Sequence, residues 1–260
     1  MSDAPKPEPK VVTACLLIIG NEILSGRTRD SNMHWLAGRL TELGIRLMEA
    51  RVVADIPEAI VAAVNAVRTK YDYVFTTGGI GPTHDDITAD CISRAFDLPI
   101  GPHPEAMRRM TAHYQRMGTE FNAARQRMAR TPEGATLIDN PVSTAPGFQI
   151  GNVFVMAGIP QVMQAMFEGL KSRLVGGPPQ LSRAVSGFLP EGVIANELGA
   201  LQGRYPEIEI GSYPFQRQGR AGTTIVLRGT DRARLEAATE EYRQLHRRLG
   251  GYPIDGEATG

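Results

Sequence analysis

The segment "TTGGIGPTHDDIT" (residues 76–88) decides the fold class, because it follows an apolar run and precedes a helical pattern. The run "YDYVFTT" (residues 71–77) predicts a buried strand, and we expect a helix from about residue 86 to residue 96. Glycine lets the backbone of such a turn approach an anion closely, and successive N–H groups there can form an anion-binding nest. From spacing alone, a plain glycine-rich turn and a phosphate site are equally good interpretations.

Strand and helix signals alternate through the first half of the chain. "TACLLII" (residues 13–19) is continuously apolar, which is typical of a strand buried on both faces. A helix beginning near Ser31 or Asn32 separates it from a second strand, "IRLMEARVV" (residues 45–53), and Asp55 has the spacing of a helix cap for the segment that follows. This alternation predicts an α/β fold with a mostly parallel sheet and helices on both faces.

The rest of the first domain is predicted to contain helices at residues 104–117, 120–130 and 161–174 and a tight hairpin at Gly151-Asn152. A second, smaller domain is predicted after it. The stretch "VGGPPQ" (residues 175–180) interrupts regular structure. We therefore predict a ligand-binding domain at residues 11–175 and an α+β domain of βαββα order at residues 180–250. The flanking segments are a disordered tail at residues 1–10 and a tail at residues 251–260.

Composition excludes few classes of protein but favours a cytoplasmic one. The chain has 260 residues with 28 basic and 28 acidic side chains, so no global charge indicates a membrane or nucleic-acid partner. Cys15 and Cys91 lie in apolar surroundings, which predicts buried thiols. We expect no signal peptide and no membrane span. For the second domain, a role in forming a homo-oligomer or in packing within the chain is expected ahead of nucleic-acid binding.

Carboxylates stand beside the glycine turn. Asp85 and Asp86 would repel a bound phosphate unless a cation lay between them, and Mg²⁺ held by one or two carboxylates and phosphate oxygens is the usual solution. Asp55 follows the preceding strand and could reach the same crevice. For each aspartate taken singly, capping of a helix is an equally simple role. The turn lacks the lysine of a P-loop and the third glycine of a dinucleotide fingerprint.

Three further loops are expected at the same sheet edge, because ligands bind at the carboxyl ends of parallel strands. The first, "GNEILSGRTRDSN" (residues 20–32), carries Asn21, Ser25 and Asn32, and otherwise is a long solvated loop. The second, "DNPVSTAPGF" (residues 139–148), carries Ser143, and the third, "AGIPQ" (residues 157–161), carries Gly158. Together with the glycine turn they would form an extended anion site.

Four motifs give the chain a family resemblance over about residues 12–249. They are "GNEILSG…DSN", "TTGGIGPTHDDIT", "APGF" (residues 145–148) and "GSYP" (residues 211–214). The sequence resembles the molybdopterin-binding fold shared by molybdopterin adenylyltransferases and the N-terminal part of competence/damage-inducible protein A, most closely the latter branch. The resemblance implies a three-layer α/β/α domain that forms dimers or trimers. It also implies a pocket for the phosphate of a pterin or a nucleotide.

The resemblance also implies a chemistry. The acidic pair of the family matches Asp55 and Asp86 here, and in the adenylyltransferases that pair serves magnesium-dependent AMP transfer to molybdopterin. In the competence-type branch the fold is linked to cleavage of pyrophosphate bonds in ADP-ribose or FAD. One departure is the turn "AGIPQVM", where the family's glutamate is missing. The amidohydrolase part of competence-type proteins is also not matched, so deamidation of nicotinamide nucleotide is not expected.

We therefore assign roles as follows. Gly78, Gly79 and Gly81 are expected to bind phosphate through backbone N–H groups, and Asp86 to hold a divalent metal, magnesium or cobalt. Asp55 is expected to orient the nucleophile or a second metal-bound water. Candidates of second rank are Asp85 for the metal and Asn21, Ser25, Asn32, Ser143 and Gly158 for the ligand. The main expectation is a molybdopterin- or nucleotide-binding protein with phosphoanhydride chemistry. The alternatives are a pyrophosphatase for ADP-ribose or FAD and a non-catalytic binding or scaffold module.

Overall fold

The structure, a computed structural model, describes residues 11–257 of the chain. The predicted tail at residues 1–10 lies outside the described residues. The chain divides between Gly177 and Pro178 into two units, called unit 1 and unit 2 below. Each unit has its own main sheet and its own hydrophobic clusters.

The strands fall into two main sheets and one short pair. In chain order the strands are β1 (Val12–Ile19), β2 (Ile45–Val53), β3 (Tyr73–Thr77), β4 (Ile100–Pro102), β5 (Arg130–Pro132), β6 (Thr136–Ile138), β7 (Gly147–Ile150), β8 (Val153–Met156), β9 (Leu181–Gly187), β10 (Glu209–Arg217), β11 (Arg220–Gly229) and β12 (Ile254–Asp255). The sheet of unit 1 has the order β2-β1-β3-β8-β7-β6, and β4 pairs separately with β5. Strands β2, β1, β3 and β8 run parallel, whereas β7 pairs antiparallel with β8 through the predicted hairpin and β6 pairs antiparallel with β7. The prediction of a mostly parallel sheet is therefore confirmed.

Helices cover both faces of this sheet. The α-helices of unit 1 are α1 (Asn21–Leu24), α2 (Asn32–Glu42), α3 (Pro57–Arg68), α4 (Thr88–Phe96), α5 (Pro104–Arg116), α6 (Ala123–Arg127) and α7 (Pro160–Leu170). The α-helices of unit 2 are α8 (Glu191–Arg204) and α9 (Arg232–Arg248). Helices α3 and α4 contribute to the core on one face and α2 and α7 to the core on the other. Unit 1 is therefore a three-layer α/β/α domain.

Strand β1 explains why two cores form. Its side chains alternate, so Cys15 and Leu17 enter the core with α3 and α4, while Leu16 and Ile18 enter the core with α2 and α7. A strand buried on both faces needs an unbroken apolar run, and each fully buried leucine contributes roughly 1.5–3 kcal/mol to folding. Cys15 and Cys91 are buried as predicted, and burial raises the pKa of each thiol to about 11.

Several local predictions in unit 1 were wrong in detail. The first loop contains the one-turn helix α1, and the helix expected at residues 120–130 is confined to α6, because Arg130–Pro132 pairs with β4 instead. Helix α4 begins at Thr88, two residues later than expected. Helix α2 is capped by neither Ser31 nor Asn32, since the side chain of Asp30 accepts from the N–H of Met33.

Unit 2 follows the split βαβ arrangement. Its strand order is β10-β11-β9-β12, with α8 and α9 packed in one core against β9 and β11. The prediction of βαββα order missed the last strand, β12, which pairs Ile254 with Ser186 and Asp255 with Val185. A two-residue strand carries no hydrophobic period, so the segment at residues 251–260 could not show it. The completed order is βαββαβ, as in ferredoxin-like domains.

His246 makes the stability of unit 2 dependent on pH. The imidazole is fully buried, and burial lowers its pKa below the ordinary value near 6.5. Below that value the unfolded chain binds a proton that folded unit 2 excludes, so the free energy of unfolding falls as the pH falls. The slope for one proton is at most about 1.4 kcal/mol per pH unit.

We expect urea unfolding between pH 7.5 and pH 5 to show a smaller loss of stability in His246→Gln than in the wild type. Far-UV circular dichroism follows both units, and fluorescence of Trp35, the single tryptophan, reports on unit 1. The difference in pH slope should therefore be seen in dichroism and not in fluorescence. Equal slopes for the two proteins in dichroism would contradict this expectation.

Candidate functional site

A cleft of about 470 Å³ lies at the carboxyl ends of β3 and β8. Gly78 comes directly after β3, and Gly158 comes two residues after β8. A Cβ placed on Gly158 would lie 3.2 Å from the Cα of Gly78, so the two turns are in van der Waals contact. The cleft is lined by Glu22, Thr28, Gly78, Gly79, Ile80, Gly81, Pro82, Asp86, Met128, Asn140, Ser143, Ala145, Ala157, Gly158, Ile159, Pro160 and Val162.

Glycine is required by the backbone at the start of the turn. Gly78 has φ +101°, and a Cβ there would lie 2.1 Å from the carbonyl oxygen of Ile19. Gly79 has φ +68°, and a Cβ there would lie 2.2 Å from Oγ1 of Thr88. Residues with a side chain rarely adopt this region of φ. The glycines therefore let the turn pack against β1 and the start of α4.

Hydrogen bonds leave part of this turn free to bind an anion. The N–H of Gly78 donates to the carbonyl of Met156 at 3.2 Å, and Thr88 donates from its hydroxyl to the carbonyl of Gly78 and from its N–H to the carbonyl of Gly79. Within residues 11–257, the N–H groups of Gly79, Ile80 and Gly81 have no acceptor. Gly78 therefore holds the turn to β8 and does not offer the N–H predicted for phosphate binding, whereas Gly79 and Gly81 do offer one.

Asp86 is held in place at the edge of the cleft. Its Oδ2 atom accepts hydrogen bonds from the N–H of Thr83 at 2.8 Å and from the Thr83 hydroxyl at 2.5 Å. A Cβ on Gly81 would lie 2.6 Å from that oxygen, so glycine at this position makes room for the carboxylate. Asp85 does not line the cleft, and its side chain is 62% exposed. The structure thus places the predicted metal ligand Asp86, and not Asp85, beside the free N–H groups.

Three predicted residues bond to their own surroundings instead of lining the cleft. Oδ2 of Asp55 accepts from the N–H of Asn21 at 2.7 Å, and Oδ1 of Asn21 accepts from the N–H of Asp55 at 3.4 Å. The hydroxyl of Ser25 donates to the carbonyl of Glu22 at 3.3 Å. Asp55 is also not a helix cap, since α3 begins after Ile56 without a side-chain cap. The predicted role of Asp55 with the nucleophile therefore has no support in this geometry.

The first loop contributes Glu22 and Thr28 to the cleft instead of the predicted Asn21 and Ser25. Glu22 was recognisable only as a polar group at the end of a strand, and Thr28 was not predicted, because residues 20–32 show no helical period. Helix α1 turns the chain so that Glu22, and not its neighbour Asn21, lies along the cleft. Residues one apart on a helix point about 100° from each other. No pattern in the sequence could have shown which of the two would face the ligand.

The other two loops are shaped by asparagines. Asn32 is 5% exposed, and its Nδ2 donates to the carbonyl of Gly158 at 2.8 Å. Asn32 therefore holds the turn at residues 157–161, called the late turn below, and does not line the cleft. Asn140 accepts from the N–H groups of Val142 and Ser143 and donates to the carbonyl of Ala145 at 2.8 Å. Asn140 and Ser143 line the cleft. Asn140 was not predicted to line the cleft, although an Asn-Pro pair after a strand is a turn signal.

The cleft offers two carboxylates and few other metal ligands. Among residues 11–257, no three side chains of histidine, cysteine, aspartate or glutamate are grouped as a metal site. Glu22 and Asp86 line the cleft together with the three free N–H groups. This donor set fits a hard divalent cation whose coordination is completed by ligand phosphate and water.

The described part of the chain contains no helix with the length and hydropathy needed to cross a bilayer.

Comparisons with known proteins agree with this architecture. The model of a family described as "Probable molybdopterin binding domain" matches residues 15–176, and that of "FAD synthase, middle domain" matches residues 179–251. A protein of Archaeoglobus fulgidus is 31% identical over 232 residues, which cover 88% of this chain and 96% of that protein.

A CinA-like protein of Geobacter sp. (strain M21) is 33% identical over 254 residues, which cover 91% of this chain but 58% of that longer protein. The crystal structure of the protein CinA from Thermoplasma acidophilum, a protein of unknown function, superposes with a TM-score of 0.57 at 29% identity. It covers 62% of this chain and 96% of its own. The model of the probable molybdopterin-binding domain matches more than half of the chain. The chain therefore belongs to that family, and it has CinA-like relatives.

Proposed function

We propose that unit 1 binds a phosphorylated nucleotide or pterin in the cleft and cleaves a phosphoanhydride bond in a metal-dependent reaction. The observation that carries the proposal is that one cleft of about 470 Å³ is lined by three residues with free N–H groups and by two carboxylate residues, Glu22 and Asp86. Free N–H groups bind anions, whereas carboxylates repel them. A site that combines both is suited to a phosphate that arrives with a cation.

The apolar part of the cleft supports a ligand with a ring system. Ile159, Pro160 and Val162 line it from the late turn and the start of α7, and Met128 and Ala145 line it from elsewhere. Pockets for small molecules combine such apolar walls with a few polar groups that fix orientation. We infer that the base or pterin ring lies against these residues and that the phosphate lies at the glycine turn.

Each polar group would have a separate task in the reaction. The N–H groups of Gly79 and Gly81 would hold the phosphate, and Asp86, fixed by Thr83, would hold the divalent metal. The metal would neutralise charge on the phosphate oxygens. Glu22 would accept a proton from the attacking water, taking the role predicted for Asp55. Water attack on one phosphorus breaks the anhydride and releases two phosphate-bearing products.

The proposal is tested by incubating the full chain with ADP-ribose, with FAD, or with ATP and molybdopterin, each with Mg²⁺ or Co²⁺. FAD is included because unit 2 matches a domain of FAD synthases. We expect products of pyrophosphate cleavage on chromatography, and no product when EDTA is present. A transfer of AMP to molybdopterin would favour the adenylyltransferase reaction instead.

A second candidate is a module that binds the ligand without turning it over. The turn "AGIPQ" favours it, since Ile159 and Pro160 line the cleft where the family's turn is followed by a glutamate that is missing here. Tight binding of a nucleotide with no product under either metal would support this candidate. Product formation that depends on the metal would exclude it.

A further inference from the structure

Arg127 lies behind the glycine turn in a small cavity that adjoins the cleft. It is the last residue of α6, a helix capped by Asn122, whose side chain accepts from the N–H of Arg125. The cavity has a volume of about 20 Å³, and its lining includes Arg127 as well as Gly79, Gly81 and Asp86, which also line the cleft. Room for one water-sized group requires roughly 10–15 Å³ by this measure. The cavity therefore has space for one phosphate oxygen.

The guanidinium of Arg127 has no counter-ion in this position. Among residues 11–257, its one hydrogen bond is a long one, from Nη2 to the carbonyl of Asp86 at 3.4 Å. No carboxylate within the described residues lies within 4.0 Å of it, whereas Arg130, in the same cavity, is paired with Asp90 at 2.9 Å. A half-buried cation without a carboxylate, next to unused N–H groups, is suited to an anion that comes with the ligand.

We propose that Arg127 binds a second phosphate of the ligand, so that the site selects compounds with two adjacent phosphates, such as nucleoside diphosphates, over monophosphates. This inference rests on the proposed function, because it assumes that a phosphate occupies the N–H groups of Gly79 and Gly81. With one phosphate there, an adjacent phosphate is the anion that reaches the small cavity. The planar guanidinium offers two parallel N–H donors to such a group.

The experiment is calorimetric titration of the full chain with AMP and with the α,β-methylene analogue of ADP, called ADP in this experiment, both with Mg²⁺, because the methylene bridge cannot be cleaved. We expect the wild type to bind ADP at least about tenfold more tightly than AMP, the range for a charged hydrogen bond. In Arg127→Gln the affinity for ADP should fall to that for AMP, while the affinity for AMP stays unchanged. Arg127→Lys should keep part of the preference, because it retains the charge without the fork.

Arg116→Gln is the matched control, since Arg116 is an exposed residue at the end of α5 and does not line either cavity. It should bind both nucleotides like the wild type. An equal loss of ADP and AMP affinity in Arg127→Gln, an unchanged preference for ADP, or a wild type with no preference would each overturn the inference. Binding of ADP with the expected preference but without any cleavage of substrates would contradict the proposed reaction alone.

Discussion

Replacing Gly78 with alanine is expected to lower the free energy of unfolding of unit 1 by about 2–4 kcal/mol. Two effects act together. Alanine is strained at φ +101°, and its Cβ would lie 2.1 Å from the carbonyl oxygen of Ile19. That oxygen belongs to the backbone at the end of β1, so no side-chain rotation can relieve the contact. The backbone must move, which would also disturb the N–H groups that follow Gly78.

The measurement is urea unfolding followed by the fluorescence of Trp35, which lies in α2 and packs against the core of unit 1. Gly38→Ala and Gly169→Ala are matched controls, because a Cβ at either position has no neighbour within 4 Å and both residues lie in helices. Alanine is favoured over glycine inside a helix by about 1 kcal/mol. The controls should therefore be as stable as the wild type or more stable. A Gly78→Ala protein of wild-type stability would show that the turn is more adaptable than this geometry indicates.

Asp86→Asn is expected to lower kcat/KM for the proposed pyrophosphate cleavage by about a thousandfold, or roughly 4 kcal/mol in transition-state stabilisation. The amide keeps an oxygen that can accept from Thr83, so the turn should persist. What is lost is the negative charge that would hold the metal. Asp86→Ala removes both the charge and the acceptor, so it should also destabilise the turn. A comparison of the two variants separates the chemical role from the structural one.

Asp85→Asn serves as the control for Asp86, because Asp85 is the adjacent residue, carries the same charge and does not line the cleft. It should retain activity within about twofold, as expected of an exposed side chain without a partner in the reaction. Glu22→Gln should resemble Asp86→Asn, and Asp55→Asn should not. If Asp55→Asn were the inactive variant, the assignment of the two carboxylates from the cleft geometry would be wrong.

Much of unit 1 was predictable because its signals are local and repeated. Apolar runs without alternation indicated strands buried on both faces, and β1 indeed contributes to two cores. The glycine turn was recognisable because positive φ and close backbone approach leave no other residue type suitable. Its position after β3 followed from chain order alone. The predicted candidates Gly79, Gly81, Asp86, Ser143 and Gly158 all line the cleft.

The remaining site residues depended on contacts between distant segments. Asp55 had the spacing of a helix cap and the family position of a catalytic carboxylate, yet its side chain bonds to the N–H of Asn21, 34 positions away. The prediction could not include this bond, because α1 is too short to show a period. Arg127 was also missed, since nothing in residues 120–130 indicated that the chain would leave α6 for β5 beside the glycine turn.

By itself, the sequence determined the layers of unit 1, the glycine turn and the loops that meet at its sheet edge. These features follow from hydrophobic burial and from backbone conformations that only glycine adopts readily, and both are properties of short stretches of chain. The packing of distant segments was needed to show that Glu22, and not Asp55, lines the cleft and that the N–H of Gly78 bonds to β8. The physical reason is that a polar group bonds to whichever partner the packed segments bring within about 3 Å.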